Sequence, residues 1–201
     1  APARGAVVVI EVSSPGAPFY QGDDDAISIV EELTIDHDGG PLGSRQYLGT
    51  LDVTNNDVLV DYEIAGPNPL ADLRDMVRSG HNNPGGIGDW LGAGITSSIA
   101  ATNPGHWAVG VAHNADLLSV GHGFGDGISA PLYHGIAIDS TTVILKFAYV
   151  GDLNLDGVVD TDDSILLGAF FGTSIGAQWY MGDLDFDNAA DTDDALLFGA
   201  N

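Results

Sequence analysis

The chain has 201 residues, 44% of them hydrophobic, with 29 Asp and Glu against five Lys and Arg, for a formal net charge of -24. That apolar share suffices for one sizeable core, or for a domain plus a small module, and excludes a disordered polyanion. The charge argues against nucleic acid and anionic lipid as partners, since both are bound through a basic face, and it favours multivalent cations.

Ala1-Pro2-Ala3 reads as a mature start after removal of a signal peptide, which gives an extracellular or cell-surface location as the expectation. GAVVVIEV (5–12) is a β-branched apolar run that predicts a strand, belonging either to its own domain or to the open sheet of a neighbouring subunit. SSPGAPFYQGDDD is dense in turn formers, AISIVEELTI (26–35) reads as strand, and DHDGGPLGS reads as loop. QYLGTLDVTNNDVLVDYEI (46–64) predicts two strands around Asn55-Asn56, a hairpin signal. PLADLRDMVRSG predicts a helix. Asn68 is its N-cap, Pro69 its first residue, and Gly80 its stop. Asp72 and Arg78 suit the helix dipole, and Leu70, Leu73 and Val77 make one apolar stripe.

Glycine punctuates residues 81–130, where Trp90, Ile95, Trp107, Val109 and Val111 are the candidate core. HGIAIDSTTVILKFAYV (134–150) predicts one long strand or two, and it runs into Gly151 with no linker, so the tail is expected to dock closely. The expected fold is mainly β: a β-sandwich-like domain with one short helix over 1–150, then a small α-helical module over 151–201. The chain has no Cys, so it forms neither disulfides nor a thiolate metal site. It also has no apolar run of membrane-spanning length, so no membrane insertion is expected.

The tail, 151–201, holds 11 Asp, no Glu and no basic residue. GDLNLDGVVDTDD from Gly151 and GDLDFDNAADTDD from Gly182 are one pattern written twice, 31 residues apart. Carboxylates gathered this closely repel unless a cation joins them. A calcium loop needs oxygens at positions 1, 3, 5, 7, 9 and 12, with the residue at 7 using its carbonyl. In the first loop these are Asp152, Asn154, Asp156, Val158, Asp160 and Asp163, with Gly157 at the sharp turn of position 6. In the second they are Asp183, Asp185, Asp187, Ala189, Asp191 and Asp194, with Asn188 at the turn. Position 12 is Asp in both, where the EF-hand pattern has Glu. Two Ca2+ sites follow as the expectation.

Each loop is followed by a helical stretch, DDSILLGAFFG and DDALLFGAN, while the first is preceded by strand. This duplicated loop-and-one-helix unit resembles the type I dockerin family, and GDLNLDGVVDTDDSILL is the closer copy. The resemblance covers about residues 151–201. It implies two calcium ions and a compact pseudo-twofold module that folds on binding metal. It also implies a cohesin-like protein as partner, contacted through Thr161-Asp162 and Thr192-Asp193 at loop positions 10 and 11. The tail has none of the Lys or Arg that the family's binding helices usually carry. LDVTNNDVLVDYE and LADLRDMVRSGHNNPGGIGDWLGAGITSSIAA are similar to the segment preceding dockerin-like repeats in large secreted bacterial proteins.

Other constellations are weaker. Five of the six His lie between His81 and His134 at spacings of 25, 7, 9 and 12, which share no period, and no HExxH is present. Asp23-Asp24-Asp25 and Asp36-His37-Asp38 are either solvated turns or further cation sites. GITSSIAA lacks a nucleophile elbow, so Ser97 and Ser98 read as cap or turn residues. No catalytic residue is assigned. The expected function is a secreted, non-enzymatic calcium-binding protein that assembles with itself into a filament, matrix or surface layer. The alternatives are a tether to a cohesin-like receptor and, third, a polysaccharide hydrolase, since its paired carboxylates need not be neighbours in sequence.

Overall fold

The apolar run Thr142–Tyr149 forms the longest strand, and the main sheet is arranged around it. The computed structural model describes residues 27–200 and, as backbone, residues 7–9. Asp23–Asp25, the turn-rich stretch before them and Asn201 lie outside the described residues. The elements run β1 (Val7–Val9), β2 (Ile27–Val30), β3 (Thr50–Asp52), β4 (Asp57–Asp61), α1 (Leu70–His81), β5 (Gly94–Thr96), β6 (Trp107–His113), α2 (Asn114–Ser119), β7 (Thr142–Tyr149), α3 (Thr161–Phe170) and α4 (Thr192–Phe198).

One sheet has the order β2-β4-β7-β6 and the other β1-β3-β5. β7 pairs antiparallel with β6, from Trp107↔Tyr149 to His113↔Val143, and antiparallel with β4 through Val58↔Leu145. β2 joins β4 in parallel, and both pairings of the smaller sheet are parallel. Parallel neighbours require crossover connections. The domain is therefore a small mixed α/β arrangement: helices stand beside both sheets, α2 joins α1 before residue 150 where one helix was expected, and the expected mainly-β, sandwich-like fold holds only as far as two sheets being present. The described part of GAVVVIEV lies at the edge of the chain's own smaller sheet, beside β3.

The predicted hairpin at Asn55-Asn56 is a corner instead. Asn56 N donates to Val53 O at 2.8 Å, and Thr54 takes the positive φ of 54°. β3 then belongs to one sheet and β4 to the other. The inner residues of β4 are buried and flanked by β2 and β7, which leaves no edge for β3. Ser97 is a turn residue, one of its two expected roles: its hydroxyl accepts from Ala100 N at 2.9 Å.

β7 is buried along seven of its eight residues, which explains its nearly unbroken apolar sequence. The exception is Lys146, buried with its ammonium 3.6 Å from Asp57 Oδ2. Asp57 is itself buried and accepts from Phe147 N at 3.1 Å and from the Tyr133 hydroxyl. Buried charges persist when they are paired and hydrogen-bonded in this way.

α1 starts one residue later than predicted, at Leu70 with Pro69 at the cap position, while the Asn68 side chain still accepts from Leu70 N at 2.9 Å. It stops later than predicted, at Asn82 in the left-handed conformation. Gly80 lies inside the helix because α1 crosses β5 there; a Cβ on Gly80 would stand 1.7 Å from Ile95 O. Leu73, Met76 and Val77 bury one face of α1 in the core. The tail is docked as its missing linker implied. Leu153, Leu155, Leu166, Trp179, Leu184 and Phe186 belong to the same hydrophobic cluster as Val109, Val111 and Trp90.

The Gly80 contact is with backbone, which cannot swing aside. Gly80→Ala is expected to lose roughly 1–3 kcal/mol or more in chemical denaturation, although alanine is the better helix former.

Candidate metal centre

Both acidic stretches fold as the same loop, and the signal lies in the alternation of apolar and polar residues. Positions 2 and 4 are buried in each copy: Leu153 and Leu155, then Leu184 and Phe186. The odd positions between them are Asp152, Asn154, Asp183 and Asp185, also buried, which turns their polar ends into the loop. Position 4 is left-handed in both copies, with φ of 61° at Leu155 and 62° at Phe186. Bulky residues adopt that conformation at a cost of about 1–3 kcal/mol, and only where surrounding structure imposes it. The sharp turn at position 6 has φ of 98° at Gly157 and 73° at Asn188, so the asparagine does take the glycine's role.

The last carboxylate of each loop staples it shut. Asp163 Oδ1 accepts from Leu153 N (2.8 Å) and Asn154 N (3.2 Å), and its Oδ2 from Asp160 N (2.8 Å). Asp194 repeats this with Leu184 N (2.8 Å), Asp185 N (3.3 Å) and Asp191 N (2.8 Å). Asp160 and Asp191 in turn cap α3 and α4, accepting from Asp162 N and Asp193 N, so each helix starts on a capping box. Position 9 thus serves the helix and position 12 the loop backbone. The carbonyl positions, Val158 and Ala189, donate their N–H groups to Asp156 Oδ1 and Asp187 Oδ1.

The side chains brought together are those of positions 1, 3 and 5. In the second loop, one carboxylate oxygen each from Asp183, Asp185 and Asp187 lies within 4.8 Å of the others. Oxygens that ligate one calcium at about 2.4 Å stand at most about 4.8 Å apart, so the spacing fits. Asp183 Oδ1 is buried with no hydrogen-bond partner. In the first loop Asn154 supplies the middle oxygen, and its Nδ2 donates to Asp156 Oδ2 at 3.1 Å. The donors are all oxygens, the set a hard dication takes, and they suit calcium better than a soft metal.

Burial dominates the electrostatics. It pushes Asp152 up to about 8 despite the lowering effect of Lys146, and Asp183 up to about 7 despite Arg74. Asp185 is also pushed up to about 7, by burial and then by Asp194 and Asp187. Asp163 and Asp194 shift upward for the same first cause.

The histidines make no such cluster among the described residues. His81 is buried against the Trp90 and Phe186 rings, and burial pushes it down to about 4. His113 meets the Tyr62 hydroxyl at 3.0 Å, and His106 packs on Trp107 and Tyr149. In Asp36-His37-Asp38, Asp38 Oδ1 accepts from Gly40 N and Gln46 N, which makes it a turn residue. No helix among the described residues is long and apolar enough to cross a membrane. Comparison with protein-family models, curated proteins and solved structures gives no match to this chain.

Asp152, Asp183 and Asp185 bind protons more tightly folded than unfolded. Without metal, the stability these three groups contribute is fully present below the ordinary carboxylate range and is lost as pH rises towards 7 and 8, a fall that outweighs the opposite contribution of buried His81. Denaturation in EGTA between pH 5 and pH 8 is expected to show that fall. Millimolar calcium, which needs the deprotonated ligands, is expected to remove or reverse it.

Proposed function

We propose that the chain is a secreted, non-enzymatic calcium-binding structural protein that assembles with itself into an extracellular filament, matrix or surface layer. The observation that carries the calcium part is the second loop, where three carboxylates converge and a buried Asp183 oxygen has no partner. Asp183, Asp185, Asp187 and the Ala189 carbonyl would hold one ion, with Asp191 and Asp194 framing it. Asp152, Asn154, Asp156 and the Val158 carbonyl would hold the other, framed by Asp160 and Asp163. Calcium supplies each loop with the positive charge and the six to eight oxygen contacts that fix its shape. Asp163 and Asp194 transmit that shape to the helices, because the same carboxylates bind the loop backbone and the helix caps.

The assembly part is supported by large apolar side chains left in solvent on both halves of the chain, among them Ile64, Leu91, Ile128 and Ile175. The strongly negative chain repels its own copies, so calcium would also lower the barrier to contact. A second reading, docking to a cohesin-like receptor, is favoured by one duplicated feature. Ile165 and Leu196 occupy the same place after each loop and are exposed by 60% and 68%, beside exposed Thr161-Asp162 and Thr192-Asp193.

Electron microscopy and sedimentation in millimolar calcium, and again in excess EGTA, separate these readings. Ordered polymers that loosen in EGTA are expected. A monomer in both, with a calcium-dependent rise in Tm, would overturn self-assembly and leave the receptor reading. No change in Tm with calcium would overturn the metal sites.

A further inference from the structure

The two loops hold their first carboxylate by different means, although their sequences are in register. In the first loop the hold is internal: Asp152 Oδ1 accepts from Asp156 N and Oδ2 from Gly157 N, both at 3.0 Å. In the second loop it comes from α1. The Arg74 guanidinium bonds Asp183 Oδ2, and the same Nη2 donates to Ala177 O at 2.7 Å. Asp183 is fully buried, and its Oδ1 is the oxygen without a partner. Two more contacts from α1 and the turn after it reach the same loop: Arg78 Nε donates to Phe186 O at 3.3 Å, and Gly85 N to Asp185 O at 3.1 Å. Positions 1, 3 and 4 of the second loop are thus gripped from outside it.

Resting on the calcium reading above, we propose that Arg74 is a positioning residue of the second calcium site. By engaging Oδ2 it fixes the rotamer of Asp183 and leaves Oδ1 for the ion. The second loop therefore completes its site only while docked on α1, whereas the first holds its first carboxylate with its own backbone N–H groups and takes from outside a bond to the Asp152 carbonyl from Trp179 Nε1. The chemistry is that of hydrogen bonds made to a ligand from beyond the coordination shell, whose loss typically costs about 10–100-fold in metal affinity. A guanidinium suits the role because the two N–H groups of its Nη2, held at a fixed angle in the guanidinium plane, reach the Ala177 carbonyl and the Asp183 carboxylate together; a lysine offers the charge without that fixed geometry. Binding free energies couple reciprocally, so an ion in the second loop also tightens the docking of the tail on the first domain.

The test is calorimetric titration of calcium into the chelator-stripped full chain, with circular dichroism of each variant as the check on folding. Arg74→Gln and Arg74→Lys are made in two backgrounds: Asp156→Ala, which disables the first loop, and Asp187→Ala, which disables the second. In the Asp156→Ala background, Arg74→Gln is expected to weaken the remaining site about 10–100-fold, with Arg74→Lys recovering part of the loss. In the Asp187→Ala background, Arg74→Gln is expected to move the remaining site by less than about two-fold, as for residues that share no partners. Unchanged or tighter binding in the first background, or an equal loss in both, overturns the role of Arg74. A wild-type chain that binds no calcium at all overturns the calcium reading itself, so the two failures are distinguishable.

Discussion

Burying aspartate is the constraint on which the C-terminal part of this protein depends. A carboxylate taken out of water must be paired, hydrogen-bonded or protonated. Asp152, Asp163, Asp183, Asp185 and Asp194 are all buried within two short loops. Asp163 and Asp194 meet the constraint with backbone N–H groups, three each. Asp152 meets it in part the same way, with two. Asp183 and Asp185 do not meet it fully: Asp183 has Arg74 on Oδ2 and nothing on Oδ1, and Asp185 Oδ1 accepts from Asp187 N alone. A bound cation is the simplest way to close that gap, which is why the calcium reading follows from the electrostatics as well as from the spacing.

The same constraint explains how the few basic residues are used. Arg45 pairs with Asp72, Arg74 with Asp183, and Lys146 with Asp57, while Arg78 ties Gly43 O and Phe186 O together. In a chain of net charge -24, each described cation is engaged by a carboxylate or a carbonyl of the fold, Lys146 buried and the three arginines partly so. Two of them, on neighbouring turns of α1, hold the second loop, so α1 links the sheets to the tail. His81 adds an apolar contact from the same helix by packing on Phe186.

Much of the tail was legible in the sequence because its signals are local. The register of the repeat, the turn at Gly157 and Asn188, and the exiting helices all depend on residues within a dozen positions of each other. What was missed was the double duty of position 12, where Asp163 and Asp194 serve as loop staples and box partners. The signal is present as Asp three residues after a capping Asp, a spacing that the calcium pattern also occupies. In the first domain, α1 was legible from its cap and stripe. The Asn55-Asn56 corner was not, because a two-residue turn signal says that the chain reverses and does not say whether the flanking strands pair. Likewise Gly80 looked like a stop, and only the crossing of β5 shows why glycine is needed there.

The sequence by itself determined the register of the repeated loops, a helix over 69–80, strands within 46–64 and 134–150, and the close join at Gly151, since each rests on periodicity or on short-range backbone chemistry. The tertiary structure alone decided that the strands form two partly parallel sheets and not a sandwich, because strand pairing is a contest among distant segments that leaves no local mark. It also decided that Arg74 reaches Asp183 across 109 residues. Nothing in either segment announces the other; only the packing of α1 against the tail sets the guanidinium beside a buried carboxylate, where pairing offsets the cost of burying both.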